Sequence, residues 1–148
     1  MIRLAEASDE PEIRNCAEQA YARYVPLIGR KPAPMIADFI TQIAAGAVYV
    51  LRDDQARFQG FVLFYVKDGY ILLENVAVLP SAAGRGVGKA LIGFCEDAAR
   101  QRGVPAVHLY TNAKMTDNIA IYSRLGYVKV AERTEDGFNR IYFEKSLT

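Results

Sequence analysis

Histidine, cysteine and any excess of one charge are what this chain has least of. His108 is its only histidine, and Cys16 and Cys95, its only cysteines, fall in segments that read as helices. Metal sites draw on clustered Cys, His and carboxylates at short spacings. No such cluster occurs, so no metal is expected, and His108, set between Val107 and Leu109, reads as a packed or edge histidine. Two cysteines do not make a disulfide framework, and free thiols fit a reducing compartment. Lys and Arg number 18 against 17 Asp and Glu, a formal net charge of +1. A dedicated duplex binder carries a basic face; without that excess or a recognition motif, nucleic acid is not an expected partner. No apolar run reaches the length of about 18 residues that spans a bilayer. The N-terminus, MIRLAEASDEPEIR, lacks the apolar stretch of a signal peptide. A cytoplasmic location away from membranes is expected.

What is present suits one domain over residues 1–148, with 51% hydrophobic side chains. A chain of this length buries roughly 68–70% of its unfolded surface. Ile2–Leu4 reads as a short strand. Ser8 and Asp9 offer N-caps, Pro11 suits a first turn, and Ile13, Ala17, Ala20 and Tyr24 recur at helical spacing, predicting a helix over about 9–23. Val25–Pro34 holds three prolines and a glycine and reads as an ordered loop. Helical spacing resumes over Met35–Ala45.

The period then changes to two. Ala47–Arg52, Phe58–Lys67 and Tyr70–Leu79 read as an antiparallel meander with turns at Asp53-Asp54 and Asp68-Gly69. Tyr70–Leu79 is apolar on both faces, as expected of a covered strand. A helix follows from Gly86 to Gly103, then a strand at Ala106–Tyr110. A second helix, capped by Thr116 or Asp117, runs to Leu125. Strands follow at Tyr127–Arg133 and Arg140–Ser146. The order is β-α-α-β-β-β-α-β-α-β-β. It predicts an α+β fold on a mixed α/β sheet, with helices on both faces and one parallel pair across a helical crossover.

The most informative stretch is VLPSAAGRGVGKAL, residues 78–91. A strand ends, glycines follow and an amphipathic helix begins. Glycine lets backbone approach a ligand. The first helical amides lack acceptors and the helix dipole adds positive potential, which together make a phosphate site. Arg85 and Lys89 stand where they can reinforce it. Two other phosphate motifs fail. Walker A requires Gly and Ser/Thr where Ala83 and Ala90 stand, and the Rossmann pattern requires Gly where Lys89 stands. The meander before this turn is also not a βαβ start.

ENVAVLP followed by AAGRGVGKAL resembles the acetyl-CoA-binding motif of the GNAT acetyltransferases, usually written Arg/Gln-x-x-Gly-x-Gly/Ala. NIAIYSRLGY, residues 118–127, is similar to the same family's late helix, and the element order matches along almost the whole chain. The resemblance implies acetyl-CoA as co-substrate, with Ala83, Gly84, Arg85, Gly86, Gly88 and Lys89 around its pyrophosphate. Pantetheine would hydrogen-bond the backbone near Val76 and Val78, and Asn118 would touch the cofactor. Two positions depart from the pattern. Ala83 replaces the usual Arg or Gln, and Met115 replaces an asparagine often found seven residues before the tyrosine.

Acyl transfer from a thioester to an amine needs a neutral amine, a held oxyanion and a proton for the departing thiolate. The resemblance makes Tyr122 the general acid, and the bland reading makes it a core tyrosine. Glu74, expected on one strand face with Leu72, Val76 and Val78, is the candidate base; poor solvation there raises a carboxyl pKa. Its bland reading is a structural carboxylate. The acceptor side of the fold points to Tyr21, Tyr24, Arg30 and Lys31, with 135–140 (EDGFNR) nearby. Arg30 and Lys31 suit an acidic acceptor group, or form a solvated turn. The activity implied is an N-acetyltransferase acting on a primary amine of a small molecule or peptide. The alternative is a non-catalytic acyl-CoA sensor. A homodimer is left open.

Overall fold

The computed structural model describes all 148 residues. In chain order, β1 is Ile2–Leu4, α1 Glu10–Tyr21, α2 Val25–Ile28, α3 Phe39–Ala44, β2 Val48–Arg52, β3 Phe58–Lys67 and β4 Tyr70–Val78. There follow α4 Val87–Gln101, β5 Ala106–Asn112, α5 Thr116–Arg124, β6 Val128–Glu135 and β7 Phe138–Ser146. Short 3₁₀ turns lie at 7–9, 22–24, 33–36 and 80–82.

The helical segments correct the sequence reading in four places. Asp9 stands at the N-cap of α1 but its side chain makes no cap bond to the helix. Its carboxylate instead accepts from Arg3, Arg52 and the Glu6 amide. Val25–Pro34 is not wholly a loop. It opens with the single turn α2, where Pro26 falls in the first turn and its missing N–H costs nothing, and Gly29 closes it at φ 90°. Residues 35–45 are not one helix. Ala37 is extended, and Asp38 starts α3 afresh by accepting from the Thr41 amide at 3.2 Å. At α5 neither Thr116 nor Asp117 caps; Met115 takes that place without a side-chain bond.

The seven strands form one mixed sheet in the order β1-β2-β3-β4-β5-β7-β6. Every pair is antiparallel except β4 with β5. Asp68 and Gly69 have φ of 52° and 83°, the double positive φ that a two-residue hairpin turn requires. Helices α1 and α3 bury Ile13, Cys16, Phe39 and Ile43 against Val48, Val50, Phe61 and Leu63. On the opposite face α4 buries Leu91, Ile92 and Cys95 against Val62, Phe64, Ile71 and Val107. Strand β3 is the element most completely covered on both faces: Phe61 to Phe64 are at most 1% exposed.

Two features of β4 shape the site. It pairs with β5 only over Ile71–Leu73 against Val107–Leu109. From Glu74 onward β4 keeps β3 on one side and has no strand on the other, while β5 continues along β7 to Asn112. The β3–β4 register also steps from Leu63↔Asn75 to Phe64↔Leu73, which leaves Glu74 as the extra residue of a bulge. Bulges bend a strand and increase its twist, so the parallel pair opens into a wedge here. The bulge also breaks the expected alternation. Val76 and Val78 pack on the α4 side, whereas Glu74 accepts from Tyr65, which packs on the α1 side. Glu74 therefore does not share a face with Val76 and Val78.

Candidate active site

Two hollows meet in the wedge. One, of about 690 Å³, runs along Val76–Val78 to the glycine turn and is walled by Ala83, Gly84, Gly86, Gly88 and Lys89. The other, of about 290 Å³, lies between the 32–34 loop, β4, β5 and the β6–β7 turn. Tyr21, Val76, Asn118 and Tyr122 line both.

The glycine turn is built for close approach. Gly84 and Gly86 both have φ of 79°, a left-handed conformation that side chains resist, and an added Cβ at either would meet nothing within 4 Å. The turn is therefore open, and no side chain caps α4. Its first amides face outward without intrahelical acceptors. Lys89 lines this groove. Arg85 is exposed and lies off the groove wall, so the expected pyrophosphate role rests on the amides and Lys89 in this conformation.

Tyr122 sits in the closing turn of α5 and packs against Tyr127 and Phe143. It is 7% exposed. Its hydroxyl has no protein partner, and no sealed side-chain polar atom in the chain is left unpaired, so the hydroxyl opens on the cavities. Burial pushes the phenol well above its ordinary pKa, and the nearby Tyr24 adds to this. It remains protonated at neutral pH. Asn118 lies one turn earlier, its amide 3.7 Å from the Met115 sulfur. Met115 itself is buried, so the position that departs from the family pattern serves as core.

Glu74 lines the smaller cavity and accepts from Tyr65 at 2.9 Å. Burial first, and this hydrogen bond second, push the Tyr65 phenol up to about 12. The acceptor-side expectations divide. Tyr21 lines both hollows, but its hydroxyl already serves Asn75 Oδ1 at 2.9 Å and the Val76 carbonyl at 3.0 Å. Tyr24 lies on the cofactor groove and not on the smaller cavity, its oxygen accepting from Arg23. Arg30 donates to the Asp136 carbonyl and lies 3.6 Å over the Phe138 ring, and Lys31 is exposed; neither lines either of these two hollows. The reason is the short α2 turn, which carries this basic pair past the opening. His108 stacks on Tyr70 at 3.8 Å, outside both hollows.

Sequence reasoning missed Asn75 and Tyr110. Asn75 is 4% exposed and ties α1 to the proline loop by accepting from Tyr21 and donating to the Pro34 carbonyl at 2.9 Å. A lone amide in an apolar strand was the available signal. Phe138 and Arg140 come from the loop named as a contributor, and both line the smaller cavity.

Residues 12–127 match the acetyltransferase (GNAT) family. Over 81 residues the chain is 32% identical to a mycothiol acetyltransferase of Clavibacter sepedonicus, covering 55% of this chain and 27% of that protein. Over 55 residues it is 36% identical to an aminoalkylphosphonate N-acetyltransferase of Salmonella typhimurium, covering 37% of this chain and 36% of the relative. The chain thus spans about a quarter to a third of these relatives. The crystal structure of the PaiA N-acetyltransferase of Thermoplasma acidophilum, solved with coenzyme A, superposes with a TM-score of 0.80 at 14% identity, covering 99% of this chain and 98% of the other. With the family match spanning most of the sequence and the fold shared end to end, the chain belongs to the acetyltransferase (GNAT) family.

Proposed function

We propose that the chain, working as one domain, is an acetyl-CoA-dependent N-acetyltransferase for a primary amine. The observation that carries this is the meeting of two hollows at Tyr122 where β4 parts from β5. The groove beside the glycine turn suits the pyrophosphate and pantetheine of CoA, as the CoA-bound relative supports. The smaller cavity takes the amine.

The unpaired edge of β4 beyond Leu73 offers backbone donors to the thioester carbonyl. The amine nitrogen attacks the carbonyl carbon, forming C–N while the π pair moves to oxygen. Glu74, directly or through water, takes the proton released from nitrogen. Collapse breaks C–S, the pair goes to sulfur, and the Tyr122 hydroxyl gives it a proton that solvent later restores. A thiol titrates near 8.5 and an ordinary phenol near 10. Burial widens that gap at Tyr122, so much of its contribution is a hydrogen bond to sulfur as charge develops. No helix of the fold is long and apolar enough to cross a membrane, and we place the reaction in the cytoplasm.

Thiol release from acetyl-CoA across an amine panel tests the assignment, with CoA affinity measured in parallel by calorimetry. Turnover with any amine is the expected result. Tight CoA binding with no turnover on any amine would make the chain an acyl-CoA sensor.

A further inference from the structure

Arg140 is the only cationic side chain on the smaller cavity, and it is 13% exposed. Its guanidinium makes no hydrogen bond within the chain. It forms long ion pairs with Glu135 and Asp136, at 3.6 and 3.9 Å, beyond ordinary hydrogen-bond length. The group also lies over two rings, 4.9 Å from the Tyr110 ring centre and 5.4 Å from that of Phe138. A planar fork whose ion pairs to Glu135 and Asp136 are long, set near two rings at a cavity wall, keeps donors for a carboxylate, sulfonate or phosphate.

The opposite charge stands deeper in the same cavity. Arg140 pairs in register with Asn112, and Glu74 follows Leu73, which pairs with Leu109. Their backbone positions are therefore about two residues apart along the strands and two strands apart across β5, or about 12 Å at 3.3 Å per residue and about 4.8 Å per strand, a gap that the two side chains narrow from either side. Tyr110 stands between them. Burial raises its pKa first, Arg140 lowers it and Glu74 raises it. Asp38 is the remaining acid on the wall, and its carboxylate is engaged by the Thr41 amide and hydroxyl. Arg30 ties the 29–34 loop to the β6–β7 turn through Asp136 and Phe138. That tie joins two walls of a cavity of only about 290 Å³.

We propose that the acceptor is a small amine that also bears an acid group, bound with its amine toward Glu74 and Tyr122 and its acid on Arg140. This rests on the acetyl-transfer reading above and names its substrate class. Arg140 thereby takes the part that the sequence had offered to Arg30 and Lys31.

The test compares matched acceptors: β-alanine, taurine and O-phosphoethanolamine against propylamine and β-alaninamide, with thiol release from acetyl-CoA as the readout. At least one acid-bearing amine should exceed both acid-free partners in kcat/KM by about 10- to 100-fold, the range of a charge-assisted hydrogen bond. Arg140→Gln should collapse that ratio, chiefly through KM, and Arg140→Lys should restore part of it. Calorimetric CoA affinity and the thermal melt of each variant establish that the fold and donor site are intact. Acid-free amines served as well as acid-bearing ones, or a ratio unmoved by Arg140→Gln, would overturn the proposal and leave the acetyltransferase reading standing. Should no amine turn over, calorimetry of the same panel against the CoA complex decides. Binding of an acid-bearing amine by the parent and not by Arg140→Gln supports the cavity assignment while the catalytic reading fails; binding of none overturns it.

Discussion

At the scale of the residue, environment separates what each side chain type offers from what it does. Tyr122 is one of nine tyrosines, and its neighbour Tyr21 spends its hydroxyl on Asn75 and Val76. The hydroxyl of Tyr122 is unspent and faces both hollows. Tyr122→Phe keeps the ring packing, so CoA affinity should hold while kcat falls by about 10²–10⁴-fold. The raised phenol favours the lower end, and a full kcat with chemistry rate-limiting would return Tyr122 to the core. Asp9 carries a stability prediction. Its carboxylate is 4% exposed, and its hydrogen bonds from Arg3, the Glu6 amide and Arg52 hold its pKa far below the usual range. A depressed folded pKa means the stabilisation is complete above the unfolded value near 3.9 and is lost as pH falls toward the folded one. Melting temperature should be level from neutrality to about pH 5 and fall below about pH 4. Asp9→Asn should cost about 2 kcal/mol at neutral pH and flatten that acid limb. An unchanged limb in the variant would assign acid sensitivity elsewhere.

At the scale of the element, two glycines act for different reasons. Gly86 sits at φ 79° with open space around it, so a side chain there meets no neighbour. The cost is conformational, about 1–2 kcal/mol, and the added atoms stand where phosphate would approach. Gly86→Val should remain folded and lose at least about tenfold in CoA affinity, equivalent to about 1.4 kcal/mol. Unchanged affinity in calorimetry would remove the glycine turn from the cofactor site. Gly60 is the reverse case. A Cβ on it would lie 2.6 Å from the Ala77 carbonyl oxygen, a backbone atom that cannot swing away, with Leu91 and Val78 also close. Gly60→Ala must push β4 from β3, at a cost of about 1–3 kcal/mol. Because β4 forms the edge between the hollows, melting temperature and CoA affinity should fall together. A stable variant with intact affinity would show that the wedge tolerates the shift.

At the scale of the whole molecule, the sheet is a partition. Cys16 belongs to the core on the α1 side and Cys95 to that on the α4 side. Both thiols are buried, and burial pushes Cys16 up to about 12 and Cys95 higher still. A disulfide within the chain would have to cross the sheet. Thermal melts with and without reductant should therefore coincide, and a large shift would mean that a cysteine pairs between chains.

The strands, the crossover helix and the glycine turn were legible in the sequence because they rest on local signals: a period of two, a period of 3.6, and glycines where backbone turns left-handed. The turn could be named as a phosphate site on the same grounds, whereas Tyr122 and Val76 were candidates only through motifs that resemble the GNAT family. The bulge at Glu74 could not, since an extra residue in a strand shows only against its partner's register. The fates of Arg30, Arg85 and Arg140 were also beyond local reading. A basic side chain on a loop reaches several places, and which one it occupies depends on the strands and rings that other segments bring near. The sequence by itself determined which backbone could form the sheet and hold a phosphate. Tertiary structure alone decided where β4 leaves β5, and hence which charges face the space between them.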